Sequence, residues 1–285
     1  MIFIIGSAKS GTTWLRSCFS HVTPVPNFNE WCFTEFAEAI RKHVATYGFV
    51  LSAEVQDRVA TRAIRDGWQG LIDAATPGAV TDKSAYPTGL RRTSPEKRIL
   101  HAGAVSVAKK YFPEAKTILM VRDPRAVYNS LQHFRSHRKA EQHGVLSTVG
   151  HKIGARLKSV NPTDFAQSWN DQNRSWLADR PTAVCRYEDL KSNFSETLQH
   201  VLEACEFTMS DQELLEIQNA EYDIRKVERR QEKLFRSNDI TVGEPKVSKQ
   251  YRKGEIDDWK KHLTQKELKV ITSRANAVMT ELGYI

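Results

Sequence analysis

The feature that most constrains this chain is its opening stretch, where an apolar run, a glycine-bounded loop and an amphipathic segment follow one another without a break. Ile2-Phe3-Ile4-Ile5 does not alternate with polar residues, the pattern of a strand covered on both faces. The run stops at Gly6, and Gly6-Ser7-Ala8-Lys9-Ser10-Gly11-Thr12-Thr13 leads into Trp14, Leu15, Cys18 and Phe19 at helical spacing. Strand, loop and helix in that order aim several backbone N–H groups and the positive end of a helix dipole at one place. Such a place suits a phosphate or a similar anion.

Gly6 and Gly11 keep the spacing of an ATP- or GTP-binding phosphate loop, yet Thr12 stands where that loop carries its lysine. The lysine lies inside the loop instead, at Lys9. This disfavours a Mg-nucleotide hydrolase or a phosphate-loop kinase and leaves a loop that grips a phosphate-like group with an inward cation. Lys9-Ser10-Gly11-Thr12-Thr13-Trp14 resembles the 5′-phosphosulfate loop of the sulfotransferases, enzymes that use 3′-phosphoadenosine 5′-phosphosulfate (PAPS). The resemblance implies that Lys9 neutralises the oxygen bridging sulfur and phosphorus. It further implies that Ser10, Gly11, Thr12 and Thr13 hold the 5′-phosphate and that Trp14 lies against adenine.

Further segments carry the same resemblance in family order. Lys116 to Val121 reads as a core strand ending at Arg122-Asp123-Pro124, where Asp123 caps a helix and Pro124 takes its first position. Val127, Leu131 and Phe134 form the inward stripe of that helix, with Ser130 inside it. The segment from Arg122 to Ser130 resembles the family's 3′-phosphate site, which implies that Arg122 and Ser130 bind that phosphate. Ala183 to Tyr187 reads as a third strand, and Arg186-Tyr187-Glu188-Asp189-Leu190 resembles a family segment whose tyrosine contacts adenine, so Tyr187 joins the cofactor set. Arg252-Lys253-Gly254 resembles the triplet that closes over the 3′-phosphate, although Asp257 replaces the second glycine of that motif. Two cations beside a glycine N–H suit a phosphomonoester.

Sulfuryl transfer is an in-line displacement at sulfur that also needs a proton acceptor. Cytosolic sulfotransferases take a histidine from a Lys-Thr-His segment, and Lys83-Ser84-Ala85 has alanine there. His101 has nearly the cytosolic spacing before Arg122 but falls in a helical pattern, as a surface or packing histidine would. The glycan and protein-tyrosine sulfotransferases use a glutamate in the loop after the first helix. The resemblance implies Glu30 as general base, with Glu35 as its rival and His101 as the other alternative. Asp82-Lys83-Ser84-Ala85-Tyr86 resembles their segment whose lysine touches the moving group, which implies Lys83 as a second cation at the end of a strand over residues 79–81.

Between these segments, Thr23 to Glu30 is rich in turn formers, and residues from Phe36 to about Gly70 are mostly helical in pattern. Phe36, Ile40, Val44, Val55, Val59, Ile64 and Leu71 are the candidate core positions there. Another helix is expected from Ser94 to about Tyr111, and an amphipathic one near Arg225 to Arg236. A last helix runs from Thr264, with Glu267 completing a capping box, to Gly283. The basic stretch 132–165 reads either as a segment near the acceptor or as a solvated connector.

With 285 residues, the chain suits a single α/β sulfotransferase domain over 1–285. The expected architecture is a three-layer sandwich with a central parallel sheet and a P-loop-like phosphosulfate loop. A net charge of +8 permits an anionic partner, and the resemblance makes that partner the cofactor, so no nucleic acid is expected. No membrane-spanning run, signal peptide or paired cysteine spacing is visible, which points to the cytoplasm, and the chemistry calls for no metal. The expected activity is transfer from PAPS to a hydroxyl or amine of a carbohydrate or small molecule. The alternative is a nucleotide- or polyanion-binding protein without turnover. The cytosolic dimer signature is broken at Gln265 and Lys269, so no oligomer is inferred.

Overall fold

A computed structural model describes residues 1–25, 32–78, 81–86, 100–142, 160–221 and 254–285, with 81–85 and 135–142 described by their backbone. The strands are β1 (Ile2–Ser7), β2 (Thr81–Tyr86), β3 (Lys116–Val121) and β4 (Ala183–Arg186). In chain order the helices are α1 (Thr12–Phe19), α2 (Phe33–Tyr47), α3 (Ala53–Ala75), α4 (Ala104–Tyr111), α5 (Pro124–Gln142) and α6 (Pro162–Ala178). They continue with α7 (Tyr187–Ser192), α8 (Phe194–Ala204), α9 (Asp211–Glu221), α10 (Gln265–Arg274) and α11 (Asn276–Glu281).

All six residues of β1 are buried, and its side chains divide between two cores. Ile2 and Ile4 meet Leu15, Cys18 and Phe19 of α1 and Leu198 and Val201 of α8. Phe3 and Ile5 meet Phe33 of α2, Ile64 and Trp68 of α3 and Val105 of α4. Helices on both faces make the sheet the middle of three layers, which is why the opening run carries no polar alternation. A third cluster joins α5, α6, α10 and α11 through Val127, Phe165, Trp169, Ile271 and Val278.

The sheet is parallel throughout, in the order β2-β1-β3-β4. The chain leaves β1 for a neighbour on one side and returns to β3 on the other. The crevice between the carboxyl ends of β1 and β3 is therefore the switch point, where open α/β sheets bind ligands.

Several local expectations shift. The long helical pattern after Phe36 is two helices, turned between Gly48 and Ser52, whose hydroxyl caps α3 by accepting from the Val55 amide. Within α3 the buried stripe is Ala60, Ile64, Trp68 and Ile72, while Val59 is 44% exposed. Trp68 sets that phase, because its indole fills the space between Phe33 and Phe36. Strand β2 contains Asp82, Lys83 and Ser84 instead of ending before them, since its pairing with β1 continues to Ser7 opposite Tyr86.

In the helix expected up to Tyr111, residues 100–102 are helical but the helix breaks at a turn at Gly103 before α4; its start at Ser94 lies outside the described residues, as does the Arg225 to Arg236 segment. The last helix does begin at Thr264 with a reciprocal capping box, but it breaks at Ala275 into α10 and α11. Of the basic stretch, α5 covers the part up to Gln142 and Asn161 caps α6.

Candidate functional site

The loop between β1 and α1 is a tight reversal built from backbone. The Ser10 amide donates to the Ser7 carbonyl at 3.0 Å and the Ser10 hydroxyl donates to the same oxygen at 2.6 Å. Lys9 has φ 76 and Gly11 φ 105. A Cβ on Gly11 would lie 2.7 Å from Tyr187 Cδ2, so this glycine is required both by its dihedral and by the approach of the tyrosine ring. Gly11 is the N-cap of α1 and offers no side chain to the first-turn amides, which leaves the Thr12 and Thr13 N–H groups at an open helix end.

The tip of β3 meets this loop. Arg122 Nη1 donates to the Lys9 carbonyl at 3.3 Å, and Nη2 donates to the Glu255 carbonyl at 3.4 Å. Its guanidinium lies 4.0 Å over the Tyr187 ring, and its Nε is buried with no hydrogen-bond partner among the described residues. The Tyr187 hydroxyl donates to the Gly254 carbonyl at 3.0 Å, and Trp14 meets the Tyr187 ring edge-on at 5.5 Å. Burial pushes the Tyr187 phenol up, with the Arg122 charge opposing it. The Lys9 ammonium rests 3.8 Å from the centre of the Phe134 ring on α5. Asp123 caps α5 as expected, its carboxylate accepting the Arg125 amide at 2.8 Å.

The structure thus brings Lys9, Ser10, Gly11, Thr12, Thr13, Trp14, Arg122, Tyr187 and Gly254 to one edge of the sheet. Ser130 lies half-buried on α5, one turn before Phe134. Lys83 lies at the register position of Ile4, within β2 and short of its carboxyl end. Glu30, Arg252 and Lys253 lie outside the described residues. Glu35 and His101, the two other candidate bases, are partners: their Oε1 and Nε2 atoms are 2.9 Å apart. His101 is 1% exposed, its ring is 5.0 Å from that of Tyr86, and its carbonyl accepts from the Trp176 indole at 2.9 Å.

Three neighbours of the site carried no role in the sequence reading. Phe134 was visible as a member of the α5 stripe, and Glu188 as part of the segment around Tyr187. Nothing in the sequence marked Tyr284, whose hydroxyl reaches Glu188. Among the described residues no cluster of three or more His, Cys, Asp or Glu could hold a metal, and no helix is long and apolar enough to cross a membrane.

The residues present fit a nucleotide carrying two anionic groups: a capless helix start, a loop lysine, a buried arginine N–H in need of an acceptor, and a cradle that a Cβ would fill. Fold and site together define an α/β protein with a P-loop-like anion cradle at a sheet switch point. The sequence profile of the sulfotransferase domain matches residues 1–283, and the chain belongs to that family. It is a sulfotransferase, of the family whose sulfuryl donor is PAPS.

Among solved structures, mouse sulfotransferase SULT7A1 complexed with PAP is similar, with a TM-score of 0.54 and 16% identity over 98% of this chain and 84% of that one. The sulfotransferase domain from the curacin biosynthetic pathway gives 0.49 and 18% over 97% of each chain. Retinol dehydratase in complex with androsterone and inactive cofactor PAP gives 0.48 and 15% over 98% of this chain and 80% of that one. The first of these likenesses supports the fold. No curated protein matches the chain in sequence.

Proposed function

We propose that the chain moves the sulfuryl group of PAPS to a hydroxyl or amine of a carbohydrate or small molecule, and that its site residues act as the sequence reading assigns them. The observation that carries this reading is the contact between Arg122 Nη1 and the Lys9 carbonyl, 3.3 Å, which makes the two anion-gripping segments neighbours within the reach of one nucleotide. PAP bound to the similar mouse sulfotransferase supports the same donor.

When bound, PAPS supplies an activated sulfuryl group on a bisphosphorylated adenosine. The chain's part is to hold that nucleotide, neutralise charge and accept a proton. Thr12 and Thr13, with the amides of the open α1 start, hold the 5′-phosphate beside Ser10 and Gly11. Arg122, Ser130, Arg252, Lys253 and Gly254 hold the 3′-phosphate, and Trp14 and Tyr187 flank the adenine. The Lys9 ammonium meets the negative charge that builds on the bridging oxygen, where a preset cation lowers the barrier most. Glu30 takes the proton of the acceptor as it attacks, and Lys83 is the second cation. The four cysteines, all without disulfides, support a reducing compartment and hence the cytoplasm.

The test compares ligands and then asks for turnover. PAP raises the melting temperature well beyond the shift given by ATP with Mg²⁺, and labelled sulfate passes from PAPS to an acceptor when acceptor classes are screened. Thermal protection without transfer to any acceptor class would return the chain to a binding role.

A further inference from the structure

The end of α11 returns to the tip of β3. Gly283 follows that helix with φ 71, and the amides of Gly283 and Tyr284 donate back to the carbonyls of Thr280 at 3.1 Å and Met279 at 2.8 Å. This is the Schellman ending, in which glycine takes the left-handed position without strain. The reversal delivers Tyr284 to a buried carboxylate: its hydroxyl donates to Glu188 Oε2 at 3.0 Å, and Glu188 Oε1 accepts the Asp123 amide at 3.1 Å. Glu188 is 9% exposed. Burial holds its carboxyl above the usual carboxylate range, and the Asp123 amide, the Arg122 charge and the Tyr284 hydroxyl oppose that shift without cancelling it.

A second path joins the same points. The Asp123 carboxylate pairs with Arg125 through two prongs, one of them 2.6 Å from Nη2, and Arg125 Nη2 also donates to the Tyr284 carbonyl at 3.2 Å. The Arg125 guanidinium lies 4.3 Å over Trp259, in the short turn Asp258–Lys261 that follows Glu255. Asp123, the residue after Arg122, is therefore held at its amide and at its side chain, and both holds lead to Tyr284. The peptide so fixed is the one that joins Arg122 to Asp123.

We propose that Glu188 and Tyr284 are positioning residues for Arg122, forming a latch that fixes the tip of β3 so that the guanidinium is preset for the 3′-phosphate of the donor. The inference rests on the reading of Arg122 as that phosphate's partner. Binding is tightest when a site pays little to order itself, and a buried carboxylate accepting two hydrogen bonds is a stiff anchor for a turn.

Titration calorimetry of the full chain with PAP and with adenosine 5′-phosphate isolates the contribution of the 3′-phosphate. Tyr284→Phe, which removes one oxygen and keeps the ring, weakens PAP by roughly three- to tenfold. It leaves adenosine 5′-phosphate unchanged, and it raises the KM for PAPS without lowering kcat. Glu188→Gln, which still offers one oxygen to Asp123, gives a smaller but equally selective loss and carries the test if Tyr284→Phe does not fold. Equal losses for both ligands, or none for either, overturn the latch. Arg122→Ala separates the two layers of the argument. If PAP keeps its advantage in Arg122→Ala, the placement of the 3′-phosphate is what fails; if the advantage is lost there but kept in both latch variants, the latch alone fails.

Discussion

Lys9 holds a left-handed backbone conformation, φ 76, that favours glycine, in the loop where the reaction's charge is expected to build. Strain of this kind persists only where the surroundings impose it. Here the Ser10 amide and hydroxyl both bind the Ser7 carbonyl and close the turn around Lys9. Replacing Lys9 with alanine leaves the backbone demand as it was, because neither residue is glycine, and removes the ammonium together with the stem that carries it to the Phe134 ring. The expected result is a fall in kcat of roughly two to three orders of magnitude, with PAP affinity changed far less. Single-turnover assays beside calorimetry check it, and a variant that keeps its kcat would remove Lys9 from the chemistry.

At the scale of the element, the β1–α1 and β3–α5 units do different jobs with the same strand-turn-helix plan. The first ends in a helix start without a side-chain cap, which leaves amides for a ligand. The second is capped by Asp123, which leaves the proposed anion-binding group as the arginine just before the cap. Helices away from the site follow the ordinary rule. In α10 the Thr264 side chain accepts the Glu267 amide while the Glu267 carboxylate accepts the Thr264 amide at 2.8 Å. That helix docks Ile271 against α6 and carries no site residue. Thr264→Ala is expected to lower stability by about 1 kcal/mol and to leave transfer kinetics intact, read from urea unfolding midpoints and initial rates. Thr264→Ser restores the stability.

For the whole molecule, the buried thiols set an alkaline limit. Burial pushes Cys185 up from 9.0 to about 12, helped by the Asp189 and Glu188 charges, and pushes Cys205 up to about 11 against the pull of Lys116. Both folded thiols stay protonated where unfolded ones ionise. The stability they contribute is therefore fully present below pH 9 and is lost as pH climbs from 9 towards 12. Melting temperatures taken at steps from pH 8 to 10.5 should stay level and then fall, and Cys185→Ala should flatten the decline. A curve that keeps rising through this range would show that other groups dominate.

The opening run, the loop glycines, the strand before Arg122 and the cap at Asp123 were all legible in the sequence, because each is a local pattern whose physics is complete within a few residues. The family resemblance rested on those same local segments, and the match over residues 1–283 agrees with it. What spacing could not supply was phase and partnership. Trp68 turns α3 by one position relative to Val59 because the aromatic pocket it fills is made by another helix. Lys83 stays inside β2 because pairing with β1 runs on to Tyr86. Glu35 and His101 look like rivals for one role in the sequence and are hydrogen-bonded partners in the fold. Tyr284 reaches Glu188, and through it the peptide beside Arg122, only because the sheet and the packing of α11 bring together residues 96 positions apart. Local chemistry wrote the anion cradle; long-range packing chose which side chains steady it, since such contacts exist only once the chain has closed on itself.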